Sequence, residues 1–308
     1  MADIIDGKAL AEAIRSEVAR GVDNLHSRVG SRPTLAAVLV GDDPASHIYV
    51  RNKIKACEQV GIKSESHYLP ASTTEEELLS LIVNLNESPD VDGILLQLPL
   101  PKQINKVKAL DSISPAKDVD GLHPWNVGLL VQGRASLIAC TPLGVLQALK
   151  RYNVPLAGKK AVVVGRSDLV GKPLALLLMH ENATVTICHS KTENLPQVAS
   201  EADIVLAAMG KAAFVTPDFI REGAVVIDVG TTVLKSEQEV ISIFGEGKKL
   251  EDFRAKKTVL VGDVHPAAYA KSSLYTPVPG GVGPLTIAML LRNTLKSAEM
   301  RKGERLSA

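Results

Sequence analysis

A tyrosine and a lysine four residues apart, in the run Tyr49-Val50-Arg51-Asn52-Lys53, can share a site, although such a pair on a helix is by itself more often surface decoration than catalysis. On a helix that spacing puts phenol and amine on one face. An amine with an ordinary pKa of ~10.4 keeps its proton at neutral pH, and works as a base only where burial or neighbouring positive charge lowers that value. Two further groups stand at element ends. Gln97 closes the apolar run Val91–Leu98 just before Pro99 and Pro101, which sets an amide at a strand's C-terminal edge, where α/β proteins bind ligands. Asp118 and Asp120 precede Gly121 in Lys117-Asp118-Val119-Asp120-Gly121; the other positions of a calcium loop are missing, and capping a turn is the plain role for Asp118.

Phosphate chemistry points to Gly165-Arg166-Ser167-Asp168-Leu169-Val170-Gly171-Lys172-Pro173, set between an apolar β-type run and a helix over Leu174–His180. Small residues in such a turn let backbone amides at the helix N-terminus approach a pyrophosphate. The run departs from GxGxxG, because Ser167 and Val170 hold the second and third glycine positions and Gly171 comes one residue late, so for the loop alone a tight turn without ligand is the plainer reading. The next strand ends Cys188-His189-Ser190-Lys191-Thr192, without the acid that binds ribose hydroxyls in NAD sites. With Arg166 in the first loop, positive charge and hydroxyls could meet a 2′-phosphate, which favours NADP over NAD; the plain alternative for Arg166 and Lys191 is solvated surface charge. A third loop, Thr276-Pro277-Val278-Pro279-Gly280-Gly281-Val282-Gly283-Pro284-Leu285-Thr286, is bare enough for a flat ligand to approach its backbone and stiff enough to act as a hinge.

The elements that hold these groups alternate. Leu10, Ile14, Val18, Val22 and Leu25 mark an amphipathic helix over Gly7–Arg28, and Pro33–Gly41 reads as a strand followed by a helix over Ala45–Val60. A strand over Glu65–Leu69, a helix over Thr74–Asn86 capped by Thr73 or Thr74, and the strand Val91–Leu98 continue the series. A helix from Thr141 to Tyr152 then leads into Lys160–Gly165, Val185–Cys188, Asp203–Ala207, Ala224–Val229 and Thr258–Val261, read as buried parallel strands. The last helix, Leu285–Ser297, follows the glycine-rich loop.

At 308 residues the chain is long enough for two lobes, and 45% apolar against 22% charged residues is an ordinary globular balance. Thirty-five basic against 34 acidic residues leave a net charge of +1, so no bulk field argues for nucleic acid or an anionic membrane surface. No apolar run approaches the ~18 residues of a membrane span, and the acidic start Met-Ala-Asp-Ile-Ile-Asp fits no targeting segment, so a cytoplasmic protein is expected. Cys57, Cys140 and Cys188 show no paired spacing, and the seven histidines show no ligand spacing; reduced thiols and no metal are expected.

Six segments in order carry a resemblance over nearly the whole chain: YVRNK at Tyr49–Lys53, QLPLP at Gln97–Pro101, KDVDG at Lys117–Gly121, CTPLG at Cys140–Gly144, GRSDLVGKP at Gly165–Pro173 and TPVPGGVGPLT at Thr276–Thr286. Together they closely resemble the methylenetetrahydrofolate dehydrogenase/cyclohydrolase family. The resemblance implies an α/β fold of two lobes around a cleft: residues 1–141 as a folate-binding catalytic domain onto which a C-terminal helix 285–308 packs back, and 142–284 as an NADP-binding, Rossmann-like domain with a parallel sheet. It implies Lys53 as the catalytic lysine, Tyr49 as the ring that orients folate, Gln97 as the lysine's hydrogen-bond partner and Asp120 as the anchor of the pterin. Leu98, Pro277, Gly280 and Gly281 join these in the substrate set. Gly165, Arg166, Ser167, Val170, Gly171, Pro173, Ser190 and Thr231 form the NADP set. The implied partners are tetrahydrofolate derivatives and a second copy of the chain, with no nucleic acid and no membrane. Thr231-Thr232 stand where the family more commonly has Ile-Asn, and Gly262-Asp263-Val264-His265-Pro266 lacks the acids often found after that valine. A monofunctional dehydrogenase and a non-catalytic NADP-binding protein are the nearest variants. A short-chain dehydrogenase is rejected by order, because there the glycine loop precedes YxxxK.

Overall fold

The computed structural model describes residues 2–306. Its elements run β1 (Asp3–Ile4), α1 (Gly7–Val29), β2 (Thr34–Val40), α2 (Pro44–Gln59), β3 (Lys63–Leu69), α3 (Glu75–Glu87), β4 (Gly93–Leu96), α4 (Lys106–Asp111), α5 (Pro124–Val131) and α6 (Cys140–Arg151). They continue as β5 (Lys160–Val164), α7 (Gly171–His180), β6 (Thr184–Cys188), α8 (Leu195–Ser200), β7 (Ile204–Ala207), β8 (Ala224–Asp228), β9 (Thr232–Leu234), α9 (Glu237–Phe244), α10 (Lys248–Lys256), β10 (Val259–Val261), β11 (Ser272–Tyr275) and α11 (Val282–Leu306). The chain divides into two compact units, one taking its first ten residues with Thr141–Leu285, the other Ala11–Cys140 with the chain from Thr286 onward. Met1, Ser307 and Ala308, which fall in the expected domain and helix ranges, lie outside the described residues.

The unit carrying Ala11–Cys140 is built on a three-stranded parallel sheet in the order β3-β2-β4. All seven residues of β2 are buried, as a central parallel strand requires, whereas β3 (KSESHYL) is an edge strand and largely solvated. Two caps aim its helices. Asp43 accepts a hydrogen bond from Ser46 N at 2.8 Å ahead of Pro44 at the start of α2. Thr74 and Glu77 form a capping box on α3, with acids throughout its first turn. The far end of α11 is held by a buried carboxylate: Asp92 meets Arg301 at 3.0 Å and Lys302 at 2.8 Å.

The other unit carries a six-stranded parallel sheet in the order β1-β11-β8-β7-β5-β6. One expected strand is not in it. Thr258–Val261 was read as a buried parallel strand, yet β10 pairs antiparallel with β9 in a sheet of its own, because α9 and α10 return the chain alongside β9. Leu234, Val240, Leu250, Phe253, Val259 and Val261 form a separate small core there. The parallel position is taken by β11, whose polar SSLY run shows no apolar block, and by the two residues of β1 beyond it. Among the described residues no helix is long and apolar enough to cross a membrane.

Candidate functional site

Lys53 lies on α2 with Tyr49 one turn before it; Tyr49 is half exposed and Lys53 partly buried. Lys53 Nζ donates to Gln97 Oε1 at 3.0 Å. Gln97 follows β4 and is nearly buried, its backbone N donating to Val38 O at 2.9 Å. Its own Nε2 donates to Leu98 O at 2.6 Å, which turns Oε1 toward the lysine. The amide is thus satisfied by backbone on one side and by the amine on the other.

The run Lys117–Gly121 is pinned beside β4, with Ile94 N donating to Lys117 O at 2.8 Å. Lys117 Nζ is buried on the carbonyls of Leu85 and Ser88 at the end of α3, at 2.8 and 2.6 Å. Asp118 has the turn role: it accepts from Leu122 N at 3.1 Å, His123 N at 2.8 Å and Asn126 Nδ2 at 2.8 Å. Gly121 has φ +70°, and a Cβ there would sit 2.3 Å from the Ile138 carbonyl carbon, so only glycine completes the turn. Asp120 is thereby held within electrostatic reach of Lys53. Burial raises its carboxyl pKa, the Lys53 charge pulls it down, Asp118 pushes it up, and a hydrogen bond with Cys140 lowers it again. Burial also keeps the Cys140 thiol well above its ordinary value, so it remains a neutral donor.

Sequence reasoning missed Asn293, on α11. Its Nδ2 donates to Val119 O and Ile138 O at 2.8 Å each, bracing both sides of the Asp120 turn. The available signal was an amide among the apolar residues of the last helix, followed by Thr294 and Ser297, which are buried as well. Asn293→Leu is expected to lower unfolding free energy by about 1–3 kcal/mol, because two carbonyls lose a donor in a dry setting. Urea titration checks it, and an unchanged midpoint would remove Asn293 from this role.

In the other unit, β5 and β6 lie side by side with Val164 opposite Cys188, and Gly165 N donates to Cys188 O at 2.9 Å. The loops that follow therefore leave the sheet together, at the edge where parallel sheets take ligands. Gly165, at φ +132°, has room only for hydrogen, since a Cβ would fall 2.2 Å from Ala208 O. Arg166, Ser167, Ser190 and Lys191 are exposed, while Gly171 and Pro173 are buried where α7 begins. The amides of Val170 and Gly171 already donate to Ser167 Oγ at 3.2 and 3.4 Å, and Lys172 N donates to Ser167 O at 3.1 Å. Ser167 thus caps the first amides of α7, and the exposed side chains of Arg166, Ser190 and Lys191 stand on the loops beside them. Asp168, the acid of the first loop, pairs with Lys172 at 2.5 Å, and the turn His189–Thr192 carries none. Positive charge and hydroxyls directly after β6, with the acid of that loop, Glu193, following them, fit a 2′-phosphate.

Thr231 lies elsewhere in this unit. With Pro277, Gly280, Gly281, Lys8, Asp228, Leu260 and Val278 it lines a cavity of about 240 Å³. Two buried acids brace the surrounding turns. Asp228, ending β8, accepts from Asp263 N at 2.8 Å, Val264 N at 3.0 Å and Tyr269 Oη at 3.1 Å. Asp263 in turn accepts from the amides of Met209, Gly210 and Lys211 at 2.5, 2.9 and 2.8 Å. Burial pushes the Asp228 carboxyl up to about 7, against the hydrogen bonds that favour its charge. Sequence reasoning overlooked this pair, although each acid closes an apolar β run.

Comparison with known proteins agrees with both halves. The description "Tetrahydrofolate dehydrogenase/cyclohydrolase, catalytic domain" matches residues 5–120, and the NAD(P)-binding domain of the same family matches 139–302. The "Bifunctional protein FolD" of Koribacter versatilis is 52% identical over 304 residues, covering 98% of this chain and 99% of that one. "Bifunctional protein FolD 2" of Geobacter sulfurreducens is 54% identical over 301 residues, covering 97% and 98%. The bifunctional FolD structure from Campylobacter jejuni superposes with a TM-score of 0.87 at 45% identity, covering 98% of this chain and 100% of that one. A Trypanosoma brucei methylenetetrahydrofolate dehydrogenase-cyclohydrolase, complexed with NADP and an inhibitor, does so with 0.87 at 40% identity, covering 97% and 98%. The chain belongs to the tetrahydrofolate dehydrogenase/cyclohydrolase family.

Proposed function

We propose that this chain oxidises 5,10-methylenetetrahydrofolate to 5,10-methenyltetrahydrofolate with NADP and hydrolyses the product to 10-formyltetrahydrofolate. The observation that carries the reading is the Lys53–Gln97 hydrogen bond of 3.0 Å beside Asp120, in a chain whose other unit presents Arg166 and Ser190 on adjacent loops. NADP supplies the hydride acceptor, and for that step the chain needs only to hold donor and acceptor in line. Arg166, Ser167 and Ser190 hold the 2′-phosphate end, with Gly165, Val170, Gly171 and Pro173 shaping the loop and Thr231 lining the cavity. Hydrolysis asks more, since water adds to the methenyl carbon. The second O–H proton of the adduct passes to the ring nitrogen as its bond to that carbon breaks to leave the formyl C=O, and the first proton, lost on addition, must be taken by a side chain. Lys53 moves that proton, Gln97 orients the amine, Tyr49 packs on the folate, and Asp120 anchors the pterin through its carboxyl. Leu98, Pro277, Gly280 and Gly281 complete the substrate contacts. Residues 1–141 with the final helix serve the folate, apart from the first ten residues, which fold with the other unit, and 142–284 serve the cofactor, apart from Pro277, Gly280 and Gly281. The reading extends to a homodimer working in the cytoplasm, and sedimentation of the purified chain checks its assembly.

The test is a spectrophotometric assay with 5,10-methylenetetrahydrofolate and NADP that follows methenyl formation and then its decay, with NAD in parallel. Formation followed by enzyme-accelerated decay is expected. No turnover despite tight NADP binding would leave a non-catalytic member of the family, and formation without accelerated decay would leave a monofunctional dehydrogenase.

A further inference from the structure

Lys249 sits in an unfavourable place. It is the second residue of α10, where the helix dipole disfavours a cation, and it is half-buried. Burial accordingly lowers its pKa, with Asp252 and Asp228 acting to keep it charged. Its ammonium donates to two carbonyls, Leu260 O at 3.1 Å and Val278 O at 3.2 Å. Both residues line the cavity that also holds Pro277, Gly280 and Gly281.

The chemistry of that wall explains what the lysine does. Pro277 and Pro279 have no N–H, so the segment between Thr276 and Gly280 has a single backbone donor, at Val278, and cannot be held by a strand ladder. It is held through its carbonyls instead. Gly281 N donates to Pro277 O at 2.8 Å, and Lys249 supplies the donor to Val278 O. The other end of the clamp, Leu260, lies in β10, paired with Val233 of β9, so the lysine ties the loop to the small sheet.

We infer that Lys249 is a positioning residue for the folate-oxidising reaction: its ammonium clamps the Val278 carbonyl and so sets the backbone of the Pro277–Gly281 wall for substrate. The inference rests on the reading of Pro277, Gly280 and Gly281 as substrate contacts. It assigns to α10 and its two-stranded sheet a part in the site that no motif in the chain announces.

The test compares the full-length protein with Lys249→Met, Lys249→Arg and Gly280→Ala, measuring kcat, both KM values and the unfolding midpoint. Lys249→Met is expected to raise KM for 5,10-methylenetetrahydrofolate about tenfold, with KM for NADP and kcat within about twofold, because a loosened wall misplaces substrate without removing a reacting group. Lys249→Arg, which keeps a charged donor, should restore KM to within about threefold. Lys249→Met with a folate KM like that of wild type, or with a lowered kcat, both KM values raised together and a lowered midpoint, overturns the inference. Gly280→Ala separates the two levels. A raised folate KM there with none in Lys249→Met sinks the clamp alone, whereas unchanged KM in both removes the loop from the substrate site.

Discussion

Lys53→Met is expected to leave a folded protein whose hydrolysis of 5,10-methenyltetrahydrofolate falls by about 10²–10⁴-fold, the range for loss of a general acid–base group, while the dehydrogenase step falls far less. The fold tolerates the change because methionine keeps the unbranched stem and α2 draws its stability from the Asp43 cap and from buried Ser46, Val50, Ala56 and Cys57. The local cost is one hydrogen bond, that to Gln97 Oε1, or about 1 kcal/mol. The two reactions separate because hydride passes between bound partners, whereas water addition creates an O–H proton that a side chain must take. Gln97 and Asp120 cannot replace the amine: an amide does not titrate near neutrality, and Asp120 is held in its turn by Gly121 and by the Asn293 hydrogen bonds to Val119 O and Ile138 O. The same cuvette reads both steps, as appearance and decay of the methenyl species. Wild-type decay in Lys53→Met would end the assignment of Lys53 to hydrolysis. Equal loss of both steps would instead make it a substrate-binding residue.

How far the sequence reaches differs between these sites. The helix bearing Lys53 was legible from its start, since Asp43-Pro44 announces a capped first turn, and β2 was legible because its whole apolar run is buried between two neighbours. Gln97 was legible as a strand-end amide, yet not its orientation, which depends on a hydrogen bond to the next residue's carbonyl and on a lysine 44 positions earlier. β11 and β1 were illegible because their place in the sheet is secured by ladder bonds to β8 and to each other rather than by apolar content. β10 was misread for the opposite reason: its apolar residues are buried, but in the small core built with α9 and α10. Asn293 and the Asp228–Asp263 pair act on backbone groups far away in the chain, and periodicity does not encode such partners.

Arg166→Ala is expected to raise KM for NADP about ten- to a hundredfold and to change KM for NAD by less than about twofold, the loss of charge-assisted hydrogen bonds of roughly 1.5–3 kcal/mol being confined to a group that NAD lacks. The structure favours so large a contrast. Arg166 leaves β5 exposed, next to the loop after β6 that carries Ser190 and Lys191, and the acid nearest to it in the chain, Asp168, is engaged by Lys172. The remaining loop geometry survives the substitution, because Ser167 closes the Val170 and Gly171 amides without the arginine. Exposure makes the effect salt-dependent: between about 0.05 and 0.5 M salt the wild-type preference for NADP should shrink, while that of Arg166→Ala stays flat. Arg166→Lys should fall between the two, since an ammonium keeps the charge but loses the planar fork that grips a phosphate at two oxygens. Steady-state kinetics with both cofactors decide it. A variant that weakens NADP and NAD alike would assign Arg166 to the pyrophosphate or to loop shape, and leave Ser190 and Lys191 to read the 2′-phosphate.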